Sequence, residues 1–155
     1  MASTAKSNLT DDAIGTVQNL IQLNIDSRDG FRYAADQLKG KGISAELLRF
    51  AQERDTNATE LTSFVDWNGE EAPRTGSYSA SLHRSWMALR KMTSFNDLYA
   101  VAAEMERGED TIVQAYRDAM RDLAGTEVGI VIQSQAALVQ ATHDFVKNLR
   151  DTNKS

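Results

Sequence analysis

The sequence predicts an all-α protein of four long helices, arranged as two hairpins joined by one long crossover that carries a short helix of its own. Three observations lead there. Ala, Leu, Gln, Glu, Arg and Met, all good helix formers, dominate the chain, and its lone proline is Pro73. Apolar residues recur at spacings of three and four over four long stretches. No hairpin dipeptide separates alternating apolar runs, which argues against strands.

The first long helix is predicted from about Asp11 to Leu38, with Ile14, Val17, Ile21, Phe31, Ala35 and Leu38 on one stripe and a polar gap at Asn24 and Arg28. Thr10 or Asp11 caps its start, and Gly40 and Gly42 end it. The second follows Ser44 as N-cap and runs to about Trp67 on Leu47, Ala51, Ala58, Leu61 and Val65. Asn68 to Gly76, with Gly69, Pro73 and Gly76, is rich in turn formers. A shorter helix over Tyr78 to Met92 puts Leu82, Trp86 and Leu89 on one side. Ser94 with Asp97 resembles a capping box. The third long helix then runs to about Leu123 on Leu98, Val101, Met105, Ile112, Tyr116 and Ala119. Gly125 stops it. Thr126 caps the fourth, which carries Val128, Val131, Leu138, Phe145 and Leu149.

Short links make the first pair and the last pair antiparallel. The long middle link, with its ~15-residue helix, can traverse helices that are ~35–42 Å long at 1.5 Å per residue. The second and third helices then run parallel, which is the ferritin-like connection. Residues 11–150 are expected to form one domain, with a flexible N-terminus (1–10) and tail (151–155).

Composition narrows the function. The chain has 155 residues, no cysteine and a net charge of −5, with a pI of about 5.0. Without cysteine there are no disulfides, thiolate metal sites or cysteine nucleophiles. No basic stripe suits nucleic acid, no apolar run approaches the ~18 residues of a membrane span, and no leader is visible. A cytoplasmic location is expected. No phosphate-binding glycine loop, dinucleotide fingerprint or serine–histidine–acid order appears.

The informative residues are polar ones on core stripes. Glu109 lies four after Met105 and three before Ile112, and Arg28 lies seven after Ile21 and three before Phe31. Both should point inward, with Asp29 at the stripe edge. The second helix is polar from Gln52 to Asn57, so Glu53 or Arg54 must face the interior. Gln135 and Thr142 interrupt the last stripe, and His143 flanks it. Buried charge is costly unless paired. This mid-helix layer is therefore either a metal site or an ion-pair network. Gly30 and Gly108 sit inside helices beside Asp29 and Glu109, either for close backbone approach or as tolerated substitutions. Tyr33 and Tyr116 read as core tyrosines with satisfied hydroxyls. His83, Arg84 and Arg90 read as a solvated face with Trp86 docked inward.

Four segments then carry a family resemblance: LNIDSRDGFRYAAD (Leu23–Asp36), GSYSASLHRSWMALRK (Gly76–Lys91), EMERGEDTIVQAYRDAM (Glu104–Met120) and THDFVKNLRD (Thr142–Asp151). Together they resemble a bacterial domain of unknown function, number 2383, whose members are described as ferritin-like four-helix bundles. The resemblance spans about residues 14–151 and implies that fold. The wider ferritin-like group binds two metals through a Glu on each of two helices and Glu-x-x-His on the other two. Here Glu109 matches one glutamate and Glu53 another, but Thr56 stands where His is expected, and Gln140 precedes His143 where Glu is expected. Arg28, with Asp29 beside it, stands near the acidic position of the first helix.

Two expectations follow. The first is a non-enzymatic helical bundle in which a buried network of Arg28, Glu53 and Glu109 replaces metal, with no cofactor. It would act by association with itself, as a C₂ homodimer, or with another protein. Phe64, Trp67 and Phe95 are the candidate contacts. The second is a di-iron carboxylate protein or oxidoreductase of ferroxidase or peroxidase type, with metal at Asp29, Glu53, Glu109 and His143.

Overall fold

The computed structural model describes residues 9–67 and 77–154. The predicted turn-rich stretch 68–76 and the outermost terminal residues lie outside them. Five helices make up most of the described chain: α1 (Asp11–Gln37), α2 (Ser44–Trp67), α3 (Ser77–Arg90), α4 (Leu98–Asp122) and α5 (Glu127–Thr152), with no strand among the described residues.

The helix ends follow local chemistry. The Thr10 hydroxyl accepts from the Ala13 amide at 3.1 Å, and the Thr126 hydroxyl accepts from Gly129 at 3.0 Å. Each satisfies one of the orphan amides of a first turn. Gly40, Gly42 and Gly125 all adopt φ near +85°, the left-handed geometry that ends a helix. Two predicted caps are corrected. Asp97 itself caps α4, accepting from the Ala100 amide, while Ser94 serves only the Asn96 amide. The helix starts after Asp97, so the pair cannot form a capping box. Ser44 already lies within α2, and its hydroxyl donates to the Ala35 carbonyl at 2.8 Å, tying the α1–α2 link together instead of capping. At the other end α5 continues past Leu149 to Thr152, where the Asn153 side chain donates to the Leu149 carbonyl.

Side-chain pairs give the directions. Ser44 meets Ala35 at one end of α1 and α2, and Asn57 meets Asn24 further along, so the two are antiparallel. Tyr116 pairs with Gln135, Asp110 with His143 and Glu106 with Arg150, so α4 and α5 are antiparallel as well. Lys41 reaches Asn96, Tyr33 packs on Phe95, and Asn24 reaches Tyr116. These contacts run α4 opposite to α1, and therefore in the same direction as α2. The short helix α3 climbs alongside. Its Tyr78 hydroxyl donates to Asp118 near the end of α4, Ser81 meets Thr111, and Arg90 lies over the Tyr33 ring.

An aromatic chain joins the layers. Phe31 of α1 contacts both Phe50 of α2 and Trp86 of α3, with ring centroids 5.7 and 5.3 Å apart, and Phe50 contacts Phe145 of α5 at 5.1 Å. Phe64 is buried, which removes it as a contact residue, Phe95 is partly buried against Tyr33, and the Trp67 side chain lies outside the described residues. The predicted α5 stripe is also rotated. The residues that face the core are Val128, Ile132, Gln135, Val139, Thr142 and Val146, whereas Leu138 is 44% exposed. The true stripe contains two polar residues, so hydropathy alone favours the wrong row.

Candidate functional site

Along α2 the buried positions 47, 51, 54, 58, 61 and 65 alternate steps of four and three. The residue in the gap of the apolar series is Arg54. Its guanidinium is sealed in the interior near mid-helix, where Nη2 donates to Glu109 Oε1 at 2.6 Å. Both side chains are buried, at 1% and 0% exposure. The guanidinium also lies 5.6 Å from the centroid of the Phe31 ring. Arg54 Nη1 and Glu109 Oε2 are buried without a hydrogen-bond partner in the protein. Burial pushes the Glu109 carboxyl above the usual range, and the charge and hydrogen bond of Arg54 pull it partly back.

Next to the pair lies a closed hydrogen-bonded layer contributed by all four long helices. Asn24 of α1 donates to the Tyr116 hydroxyl at 2.8 Å, and that hydroxyl donates to Gln135 Oε1 at 2.7 Å. Gln135 Nε2 donates to the Asn57 carbonyl and to Glu60, and Asn57 donates back to Asn24. Every element uses a polar side chain where an apolar one would otherwise fit, which fixes the register of four helices at one level. Burial pushes the Tyr116 hydroxyl up, so it stays neutral and serves as donor and acceptor together.

The other residues predicted for the interior are dispersed. Arg28 sits half-buried on the α1–α2 seam, bonded to Asp55 at 2.8 Å and to Asp29 at 3.0 Å. The inward position in that turn is taken by Ser27, because α1 rotates its buried face by one residue there. Glu53 pairs with Arg49 near the surface. Asp29 is half-exposed beside Arg28. His143 pairs with Asp110 at 2.7 Å and lies 3.4 Å from Asp144. Of the predicted ion-pair residues, then, only Glu109 is fully buried, and its partner is Arg54. The four predicted metal ligands each engage a different group.

A di-metal centre of the ferritin kind does not fit these residues. It needs converging carboxylates, and here a guanidinium occupies the middle and takes up Glu109, the one carboxylate side chain buried among the described residues. The sequence lets either Glu53 or Arg54 face inward, and the expected network took Glu53. The four-three alternation of α2 selects Arg54. Asn24 and Asn57 fall in the same polar gaps.

The chain is thus an all-α protein with a charged pair sealed among its helices. It belongs to the family described as "Domain of unknown function (DUF2383)", whose model matches residues 12–122. No curated protein and no solved structure matches the chain. No helix among the described residues is long and apolar enough to cross a membrane.

Proposed function

We propose that this protein is a ferritin-like four-helix bundle without a central catalytic metal, and that it works by forming a homodimer through the outer face of α5. The antiparallel pairs, the parallel α2 and α4, and the crossover helix support the fold. The charge pattern of α5 supports the mode of action. From Val128 to Thr142 it contains no charged residue, over a length of ~22 Å at 1.5 Å per residue. Yet its outer face is in solvent: Ile130 is 70% exposed, Leu138 is 44% exposed, and Gln133, Ser134, Ala137 and Ala141 are exposed beside them. On the other helices exposed apolar residues such as Leu48, at 51%, stand among charged neighbours, here Glu46 and Arg49, and further exposed positions carry Arg107, Arg117 and Arg121.

A second copy is the occupant that this pattern suits. Each chain carries −5, so two copies repel wherever acidic faces meet. An uncharged face of small residues and glutamines is self-complementary, because glutamine both donates and accepts. Beside it, Val113, Met120, Ala136 and Val139 line part of a groove of about 280 Å³ between α4 and α5. A partner's Ile130 or Leu138 is the right size to enter it. An isologous contact of this kind closes with two copies.

Light scattering after size exclusion, across the micromolar range, tests the reading. The wild-type protein should run as a dimer. Ile130→Glu and Leu138→Glu place carboxylates opposite each other at the contact and should weaken it at least about tenfold, with unchanged helical circular dichroism. A wild-type monomer throughout, or a dimer indifferent to both substitutions, overturns it.

A further inference from the structure

We infer a divalent transition-metal site on the α4–α5 seam, held by Glu106, Asp110 and His143. It lies beyond the uncharged face of α5 and does not depend on self-association. Glu106 and Asp110 are four residues apart, so both stand on one face of α4. His143 meets them from α5. One carboxylate oxygen of each and one ring nitrogen of His143 lie within 4.8 Å of one another. His143 Nε2 is already 2.7 Å from Asp110 Oδ1. Ligands bonded at ~2.1 Å stand roughly 3–3.5 Å apart, so the set needs only a small contraction to close on an ion.

A plain His143–Asp110 ion pair accounts for part of this arrangement and leaves two features over. Glu106 is only 13% exposed, and its Oε2 is buried with no hydrogen-bond partner. Its other oxygen accepts from Arg150 at 2.7 Å. A cation at the cluster adds a partner to a carboxylate that the protein satisfies on one oxygen alone. The second feature is Asp144, whose carboxylate lies 3.4 Å from His143 Nδ1, on the far nitrogen of the ring. A carboxylate in that position orients the imidazole of a metal-binding histidine and fixes which nitrogen faces the ion.

The ligand chemistry selects the ion. Two carboxylates balance a divalent charge, and an imidazole nitrogen favours first-row ions such as zinc or ferrous iron over magnesium and calcium. Asp110 is 60% exposed, so the remaining coordination positions open to water. Arg150 is the built-in competitor, holding Glu106 in the absence of metal.

Titration of the intact protein with Co²⁺, followed by its visible absorption, tests the site. The expected result is saturation at one equivalent. Affinity should fall at least about tenfold in His143→Ala and in Asp110→Asn, and stay unchanged in Glu104→Gln, whose carboxylate faces Arg107. Arg150→Gln should bind more tightly, because it frees Glu106. Circular dichroism confirms that each variant is folded. Failure of the wild-type protein to saturate below millimolar Co²⁺, or equal affinity in the wild type and His143→Ala, overturns the proposal.

Discussion

Replacing Glu109 with alanine should destabilise the protein by about 3–5 kcal/mol, while replacing both members of its pair with apolar residues should cost far less. The reason is desolvation. Bringing a carboxylate and a guanidinium out of water costs several kcal/mol for each ion, and their attraction returns that only while both are present. Glu109→Ala leaves Arg54, 1% exposed, as an unpaired buried cation. Arg54→Met leaves the mirror-image problem at Glu109 and should cost a similar amount. Arg54→Met with Glu109→Leu removes both charges and keeps most of the volume. Its stability should lie within about 1 kcal/mol of the wild type, or above it, because Arg54 Nη1 and Glu109 Oε2 are unpartnered to begin with. The wild type, Glu109→Leu, Arg54→Met and the double variant form a double-mutant cycle, read by urea unfolding. Additive losses would mean that the two charges are not coupled across the interior.

The same pair has a pH signature. Burial raises the folded-state value of Glu109 above that of the unfolded chain. The folded state therefore takes up a proton at a higher pH than the unfolded state does. Its contribution to stability is present in full below the unfolded carboxylate value and is lost as pH rises through the folded one. Subtracting the stability of Glu109→Gln at each pH cancels the other carboxylates. The wild-type advantage over Glu109→Gln should grow on acidification from neutrality. An advantage that shrinks instead would show that Arg54 holds the carboxyl below its ordinary range.

Helix positions were legible because hydrophobic spacing and end signals are local. Thr10 and Thr126 cap where the sequence places caps, and Gly40, Gly42 and Gly125 end helices through a backbone geometry that other residues resist. The polar interior was legible as a level in the chain and less so as a set of partners. Glu109 could be assigned because apolar neighbours bracket it on one unbroken stripe. Arg28 could not, because α1 is buried on two sides, by α2 and by α3, and its stripe is too broad to tell Ser27 from Arg28. The α5 face was misread for the opposite reason: Gln135 and Thr142 are core residues that look like surface ones. Their value lies in hydrogen bonds to Asn57, Tyr116 and the backbone, which no hydropathy pattern records. The Glu106–Asp110–His143 cluster was out of reach, since it requires the register of α4 against α5.

Gly30 was open to two sequence readings, and the structure yields a sharp expectation between them. A Cβ built on Gly30 would fall among the ring atoms of Trp86, which is itself 6% exposed and wedged edge-on against Phe31. An indole is rigid, and it is held on its other side by α4, so the ring cannot turn away as a methionine would. Alanine at this position must push α3 off α1. The ~1 kcal/mol gained from better helix propensity should be outweighed by an overpacking cost of about 1–3 kcal/mol or more. Gly108 is the control. The nearest neighbour to its Cβ is Leu82 Cδ1 at 3.1 Å, the end of a flexible side chain that can yield. Gly108→Ala should therefore be close to neutral, with the propensity gain offsetting the crowding. In a Trp67→Phe background the fluorescence reports Trp86 alone, and Gly30→Ala should shift its emission to the red as the ring meets water. Trp86→Leu should remove most of the penalty of Gly30→Ala in a double-mutant cycle, because the smaller side chain opens the space the methyl needs. Equal effects at Gly30 and Gly108 would place the cost in the helix backbone and not in the seat of the indole.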